Sequence, residues 1–174
     1  MDIKKLAAQI NKTAHEKGWY EKGERNFHEV VALMHSELSE ALEEWRAGHG
    51  LDEVRIENGK PEGVPIEMAD AYIRILDTCQ ELSLPVETRL GGPISDKSIP
   101  FSADIANLHW GLSQALDDLD LDVTRPEPKS WQLGAVAAEI ELVCEKWSID
   151  LEAAIVQKMA YNETRSHRHG GKKA

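Results

Sequence analysis

From Phe27 to Trp45 the apolar residues Phe27, Val30, Val31, Met34, Leu38, Ala41, Leu42 and Trp45 recur at steps of three and four. That period lines one face of an α-helix, whereas a strand would alternate every second residue. The same period organises residues 2–17, where Ile3, Leu6, Ala7 and Ile10 share a face, and returns over 65–82, 102–120, 130–147 and 150–165. Gly18 stops the first helix, Gly48 and Gly50 stop the second, and Asp150 is placed to cap the last. Asn58-Gly59 and Pro61 mark turns, with a short hairpin expected between Val54-Arg55-Ile56 and Val64; Pro65 suits the first turn of the helix that follows. A linker is expected over 91–100 and a break at Pro126 and Pro128. The expected fold class is all-α, a helical bundle forming a single domain over 1–174.

The chain also repeats itself. Residues 26–45, NFHEVVALMHSELSEALEEW, align without a gap on 100–119, PFSADIANLHWGLSQALDDL, with seven identities, and Glu43-Glu44 falls on Asp117-Asp118. A weaker match sets Cys79 over Cys144, so a whole helix pair (26–82) is read as echoed by a second pair (101–147). The differences are more informative than the agreements. Glu37 falls on Gly111, Glu40 on Gln114, Glu67 on Gln132 and Asp70 on Ala135. Packing residues persist while four acids vanish, so packing does not require those acids. The first pair is expected to carry chemistry, and the second to be a degenerate copy that completes the bundle.

At 100° per residue, Glu37, Glu40 and Glu44 form a stripe along the edge of the apolar face, while Glu43 points to solvent. On the helix over 65–82, Glu67 and Asp70 flank the apolar face with Arg74 and Asp77. Acids three or four residues apart repel one another, and a divalent cation between the two helices would relieve that repulsion. The donors on offer are oxygens, which suits Mg²⁺, with Mn²⁺ as an alternative, over Zn²⁺. A di-iron bundle would need Glu-x-x-His, and no histidine has a glutamate three residues before it.

Composition limits the partners. A net charge of -11 opposes binding to a nucleic-acid polymer through its phosphates. No apolar run approaches the roughly 20 residues of a membrane span, and the charged start Met1-Asp-Ile-Lys-Lys-Leu does not resemble a signal peptide, so a cytoplasmic location is expected. Cys79 and Cys144 lie in apolar helical patterns and are read as reduced packing residues.

Glu37-Leu-Ser-Glu40 followed by Glu67-Met-Ala-Asp70, with Lys158, Asn162 and Arg165 downstream, resembles the signature of the MazG-like all-α nucleoside triphosphate pyrophosphohydrolases, a superfamily that includes the dimeric all-α dUTPases. The resemblance covers about 19–82 and 148–170, and it departs from the usual double glutamate in that Ser36 precedes Glu37. It implies Mg²⁺-dependent hydrolysis of a (deoxy)nucleoside triphosphate to monophosphate and pyrophosphate. Glu37, Glu40, Glu67 and Asp70 would hold the metal, with Glu44 a further candidate, and Glu37 or Glu40 would take the proton of the attacking water. Lys158, Asn162 and Arg165 would meet the phosphates, making 150–174 a phosphate-binding helix with a basic tail. Trp19, Tyr20 and Trp45 are candidates to stack on the base; Trp45 lies on the apolar stripe and is read as core, and His35, which recurs as His109, as packing. The resemblance, taken with the repeat, further implies a homodimer. The alternatives are a phosphoribosyl-ATP pyrophosphohydrolase type of activity and a non-catalytic helical metal-binding or dimerisation module.

Overall fold

A computed structural model describes residues 2–23, 25–86, 97–120 and 131–171. Helix α1 (Ile3–Glu16) is capped by Asp2, whose carboxylate accepts from the Lys5 amide. Asn26 does the same for α2 (Phe27–Arg46), and Asp150 for α6 (Leu151–Thr164), through the Glu29 and Ala153 amides. Between α2 and α3 (Val64–Glu81) lies a hairpin of β1 (Arg55–Glu57) and β2 (Lys60–Glu62). Its turn residues Asn58 and Gly59 have φ of 51° and 81°, the left-handed pair that a two-residue turn with the strands' own twist requires. The hairpin therefore closes one step earlier than the sequence suggests: Ile56 pairs with Pro61, and Val64 opens α3 instead of joining a strand.

Helices α4 (Phe101–Asp120) and α5 (Trp131–Trp147) follow, and the chain ends in a single turn, α7 (Arg168–Gly171), that is left-handed at Arg168, His169 and Gly170. The expected break at Pro126 and Pro128, most of the expected linker, and the last three residues of the tail lie outside the described residues.

The first helix pair, α2 and α3, packs on the second, α4 and α5, as a four-helix bundle, and α3 also carries α1 and α6. Val31, Met34 and Leu38 from α2 and Tyr72, Ile75 and Leu76 from α3 are fully buried with Leu108 and Leu112 from α4. Where α2 meets α4, the two halves touch through equivalent residues. The rings of His35 and His109 stack with centroids 5.0 Å apart and planes 6° apart, and their Nδ1 atoms share a hydrogen bond at 2.7 Å. Ser39 donates to the His35 carbonyl, and its repeat partner Ser113 donates to the His109 carbonyl. Equivalent residues meeting each other is what an approximate twofold between two copies of one helix pair produces.

Among the described residues no helix is long and apolar enough to cross a membrane. Both cysteines are buried free thiols, and burial raises them well above the ordinary thiol value, Cys79 to about 12.

Candidate metal centre and adjoining cavity

Glu37 reaches the seam between α2 and α3 from the middle of α2, and Glu67 and Asp70 come from the first two turns of α3. Oxygens of these three carboxylates lie within 4.8 Å of one another. Two ligands that each sit 2.0–2.6 Å from one ion are at most about 5 Å apart, so this spacing admits a single Mg²⁺, Mn²⁺ or Ca²⁺. Glu37 is 7% exposed and Glu67 is 2% exposed.

The start of α3 is set in place by the hairpin. Gly63, with φ of 123°, brings the chain so close to the Glu53 carbonyl that an added Cβ would sit 2.3 Å from that oxygen. Only glycine meets both conditions at this point. Glu67 then falls in the first turn of α3, with buried Pro61 on the hairpin strand that packs against the helix.

Two of the three acids are paired. Arg74 Nε and Nη2 grip Glu37 Oε1 at 2.9 and 2.8 Å. Lys158 Nζ, on α6 and only 2% exposed, sits 2.5 Å from Asp70 Oδ2. Glu67 is different, because its Oε2 is buried with no hydrogen-bond partner among the described residues. Burial first, then the charges of Asp70, Glu37 and Glu40, raise its carboxyl to about 9 against the pull of Lys158. Burial likewise lifts Glu37, opposed by Arg74. That upward push favours the protonated form of Glu67 over the bare carboxylate. A buried oxygen without a partner is costly and rare in a folded protein. A divalent cation supplies the missing partner, so the donor set fits one.

Two glutamates expected here are not among the three that bring oxygens together. Glu40 is exposed and accepts from Ser36 Oγ at 3.1 Å. Glu44 binds Arg55 Nη2 at 2.8 Å, which ties α2 to the hairpin.

Beside the cluster opens a cavity of about 100 Å³, whose wall includes Asp70, Arg74, Asp77, Asn162 and Arg165. Of the three residues expected to contact phosphates, Asn162 and Arg165 line it. Lys158 is instead held in its buried pair with Asp70. Trp19 also lines the cavity, but its faces are taken: the guanidinium of Arg25 lies 5.3 Å from its ring centroid and that of Arg168 5.9 Å away, with the His169 ring edge-on at 5.1 Å. It is therefore an anchor for cations and not an open stacking platform. Tyr20 donates to Asp77 Oδ2 at 2.7 Å and stacks on His15, and Trp45 packs against the core beside Phe101. Arg25 and Lys17 carried no signal in the sequence, because they lie at the ends of the loop from α1 to α2 and reach the site only through the fold.

No family model, curated protein or solved structure matches this chain. What is established is the class: an all-α bundle with a buried carboxylate triad beside a cavity rich in cations.

Proposed function

We propose that this protein is a divalent-cation-dependent nucleoside triphosphate pyrophosphohydrolase, splitting a triphosphate between its α and β phosphorus atoms to give the monophosphate and pyrophosphate. The observation that carries the reading is the triad of Glu37, Glu67 and Asp70, with one oxygen from each within 4.8 Å of the others, in which Glu67 Oε2 is buried without a partner among the described residues and Asp70 lies on the wall of a cavity lined by arginines. Acids of this kind are lost at the repeat-related positions Gly111, Gln114, Gln132 and Ala135, which argues that they serve chemistry and not packing.

Glu37, Glu67 and Asp70 hold the cation in this reading, Mg²⁺ being the ordinary partner of oxygen ligands and phosphates. A cation held there would supply charge neutralisation for the phosphates and acidify water bound to it. The protein's own side chains do the remaining work. Arg74 fixes the Glu37 carboxylate through its two-point grip, and Lys158 fixes Asp70. Glu40, exposed at the edge of the cluster, is free to take the proton of an attacking water. Asn162 on α6 and Arg165 just past its end line the cavity that would take the substrate.

The test is to incubate the protein with a panel of canonical and modified nucleoside triphosphates and Mg²⁺ and to measure pyrophosphate release. Glu67→Gln, which keeps the shape and removes the charge, is expected to abolish release, and Glu40→Gln to lower it by about 100-fold or more, within the range for losing a general base. No release from any nucleotide sinks the reading. Full activity in both variants removes the acids from it.

A further inference from the structure

The cavity extends well past the metal-binding acids. Asp70 and Asp77, both on its wall, are seven residues apart on α3, about 10 Å along the helix axis. Helix α6 runs alongside in the same sense, since Lys158 meets Asp70 and the wall residues Asn162 and Arg165 follow one and two turns later. If triphosphate sits at the Asp70 end, as the proposed function requires, the base of the nucleotide reaches the Asp77 end.

Most polar groups at that far end are already satisfied. Asp77 accepts from Tyr20 Oη at 2.7 Å and from Asn11 Nδ2 at 3.0 Å. Lys17 Nζ donates to the carbonyls of Glu163 and Arg165, each at 2.7 Å. Three side chains on the cavity wall retain capacity. Arg25 is only 10% exposed, sits 3.9 Å from Asp77, and keeps its Nε buried without a partner among the described residues. Asn162 keeps Oδ1 buried in the same condition. The guanidinium of Arg165 rests over the Tyr161 ring, 5.7 Å from its centroid, with its N–H groups unspent on carboxylates among the described residues.

We propose that this end of the cavity reads the base, with Arg25 donating to a keto oxygen and Asn162 Oδ1 accepting from the adjoining ring N–H, so that keto bases are selected over amino bases. The counting favours that sense. A keto oxygen accepts two hydrogen bonds, and the wall offers donors on Arg25 and Arg165; an exocyclic amino group brings two N–H donors to a wall where Asn162 Oδ1 is the acceptor left unspent among the described residues. Trp19 serves as a positioning residue that holds Arg25 in place.

The experiment measures kcat/KM with Mg²⁺ for dUTP, dTTP and dGTP against dCTP and dATP, in the native protein, in Arg25→Met and in Asn162→Leu. Binding of the five corresponding monophosphates is measured in parallel by calorimetry, where no turnover is needed. The native protein is expected to favour the keto set in both readouts, and each variant to reduce the keto-to-amino ratio by about 10- to 100-fold, the worth of one hydrogen bond involving a charged or buried partner. If circular dichroism shows Arg25→Met unfolded, Asn162→Leu decides alone. Equal losses on all five bases, or a native preference for amino bases, overturn the subsite. Keto-selective binding of monophosphates without hydrolysis of any triphosphate keeps the subsite and removes the proposed reaction; hydrolysis without base discrimination does the reverse.

Discussion

Lys158→Met removes the ammonium that is buried against Asp70 while keeping most of the apolar stem. Lys158 Nζ is 2.5 Å from Asp70 Oδ2, and the two side chains are 2% and 15% exposed. Removing one partner of a buried pair costs about 3–5 kcal/mol, because the other charge stays behind in a poorly solvated place. Here the remaining carboxylate also faces Glu37 and Glu67 at ligand distance. In a chain of 174 residues, each kcal/mol moves the melting temperature by about 2–4 °C, so the loss in EDTA is expected to be about 6–20 °C. Saturating Mg²⁺ places two positive charges beside the same carboxylates and stabilises by about 2.7 kcal/mol at a hundred times its dissociation constant. The variant, lacking the competing ammonium, binds the ion more tightly and gains more than the native protein does. Thermal and urea melts of both proteins, in EDTA and in a Mg²⁺ series at neutral pH, check this. The reasoning is refuted if the gap in EDTA is under about 1 kcal/mol, or if Mg²⁺ raises the two proteins equally or not at all.

Three further outcomes follow from the packing and the hydrogen bonds. A Cβ on Gly111 would lie 2.8 Å from Val136 Cγ2; the overpacking, about 1–3 kcal/mol, outweighs the roughly 1 kcal/mol that alanine gains in a helix. Gly111→Ala should therefore melt at lower urea, and a stabilised variant would contradict the close approach of α4 and α5. His35 and His109 are held below the ordinary imidazole value by burial, His35 also by the charge of the other ring. The unfolded chain then binds more protons than the folded one below about pH 6.5, so stability present above that pH is lost as pH falls through the window. The double variant His35→Gln, His109→Gln should flatten the slope of urea stability between about pH 6.5 and 5, and an unchanged slope refutes the assignment. Tyr20→Phe takes from buried Asp77 one of its donors, at a cost of about 1–3 kcal/mol by urea melt, and an unchanged melt refutes the pairing.

Much of the helix layout could be read from the sequence because local rules set it. The apolar period marks each helix, Gly18 and Gly48 stop two of them with φ of 82° and 92°, and Asp150 caps a third. Glu37, Glu67 and Asp70 could be read as well, since a position on a helix edge depends only on residue number. The fate of Glu40 could not. Three residues on from Glu37 rotate it by 300°, or 60° short of a full turn, and whether that stays in the seam depends on how α2 and α3 cross. Charge pairing was also hidden. Lys158 lies 88 residues from Asp70 in the chain, and nothing local distinguishes a lysine that meets phosphate from one that buries itself against an acid. The cations around Trp19, a candidate for base stacking, were hidden for a related reason: Arg168 reaches it only because the C-terminal turn folds back, with its amide donating to the Lys17 carbonyl at 2.9 Å. That return requires left-handed backbone at Arg168 and His169, a conformation uncommon outside glycine.

The asymmetry between the halves has a physical logic. In the first pair, Glu37 stands where α2 meets α3, and its charge is carried by Arg74. At the corresponding place in the second pair stands Gly111, where α4 and α5 approach so closely that even a methyl group crowds Val136. A carboxylate and its partner would not fit that gap, so the second pair has exchanged a site for a tighter interface. It uses charge elsewhere: Lys146 and Asp104 form a buried pair at 2.8 Å, and Trp147 Nε1 donates to the same carboxylate at 2.7 Å. Across the seam, Tyr72 of α3 donates to Glu141 of α5, and His35 meets His109. The second pair thus supplies in one chain the packing that a separate copy of the first would otherwise bring. All three acids, with Arg74 and Lys158, already come from one chain. A homodimer, which the resemblance implies, would add a second site to the assembly instead of completing the first. Activity should consequently scale linearly with protein concentration through any monomer–dimer transition seen by light scattering, and a loss of specific activity on dilution would show that a second chain contributes to the site.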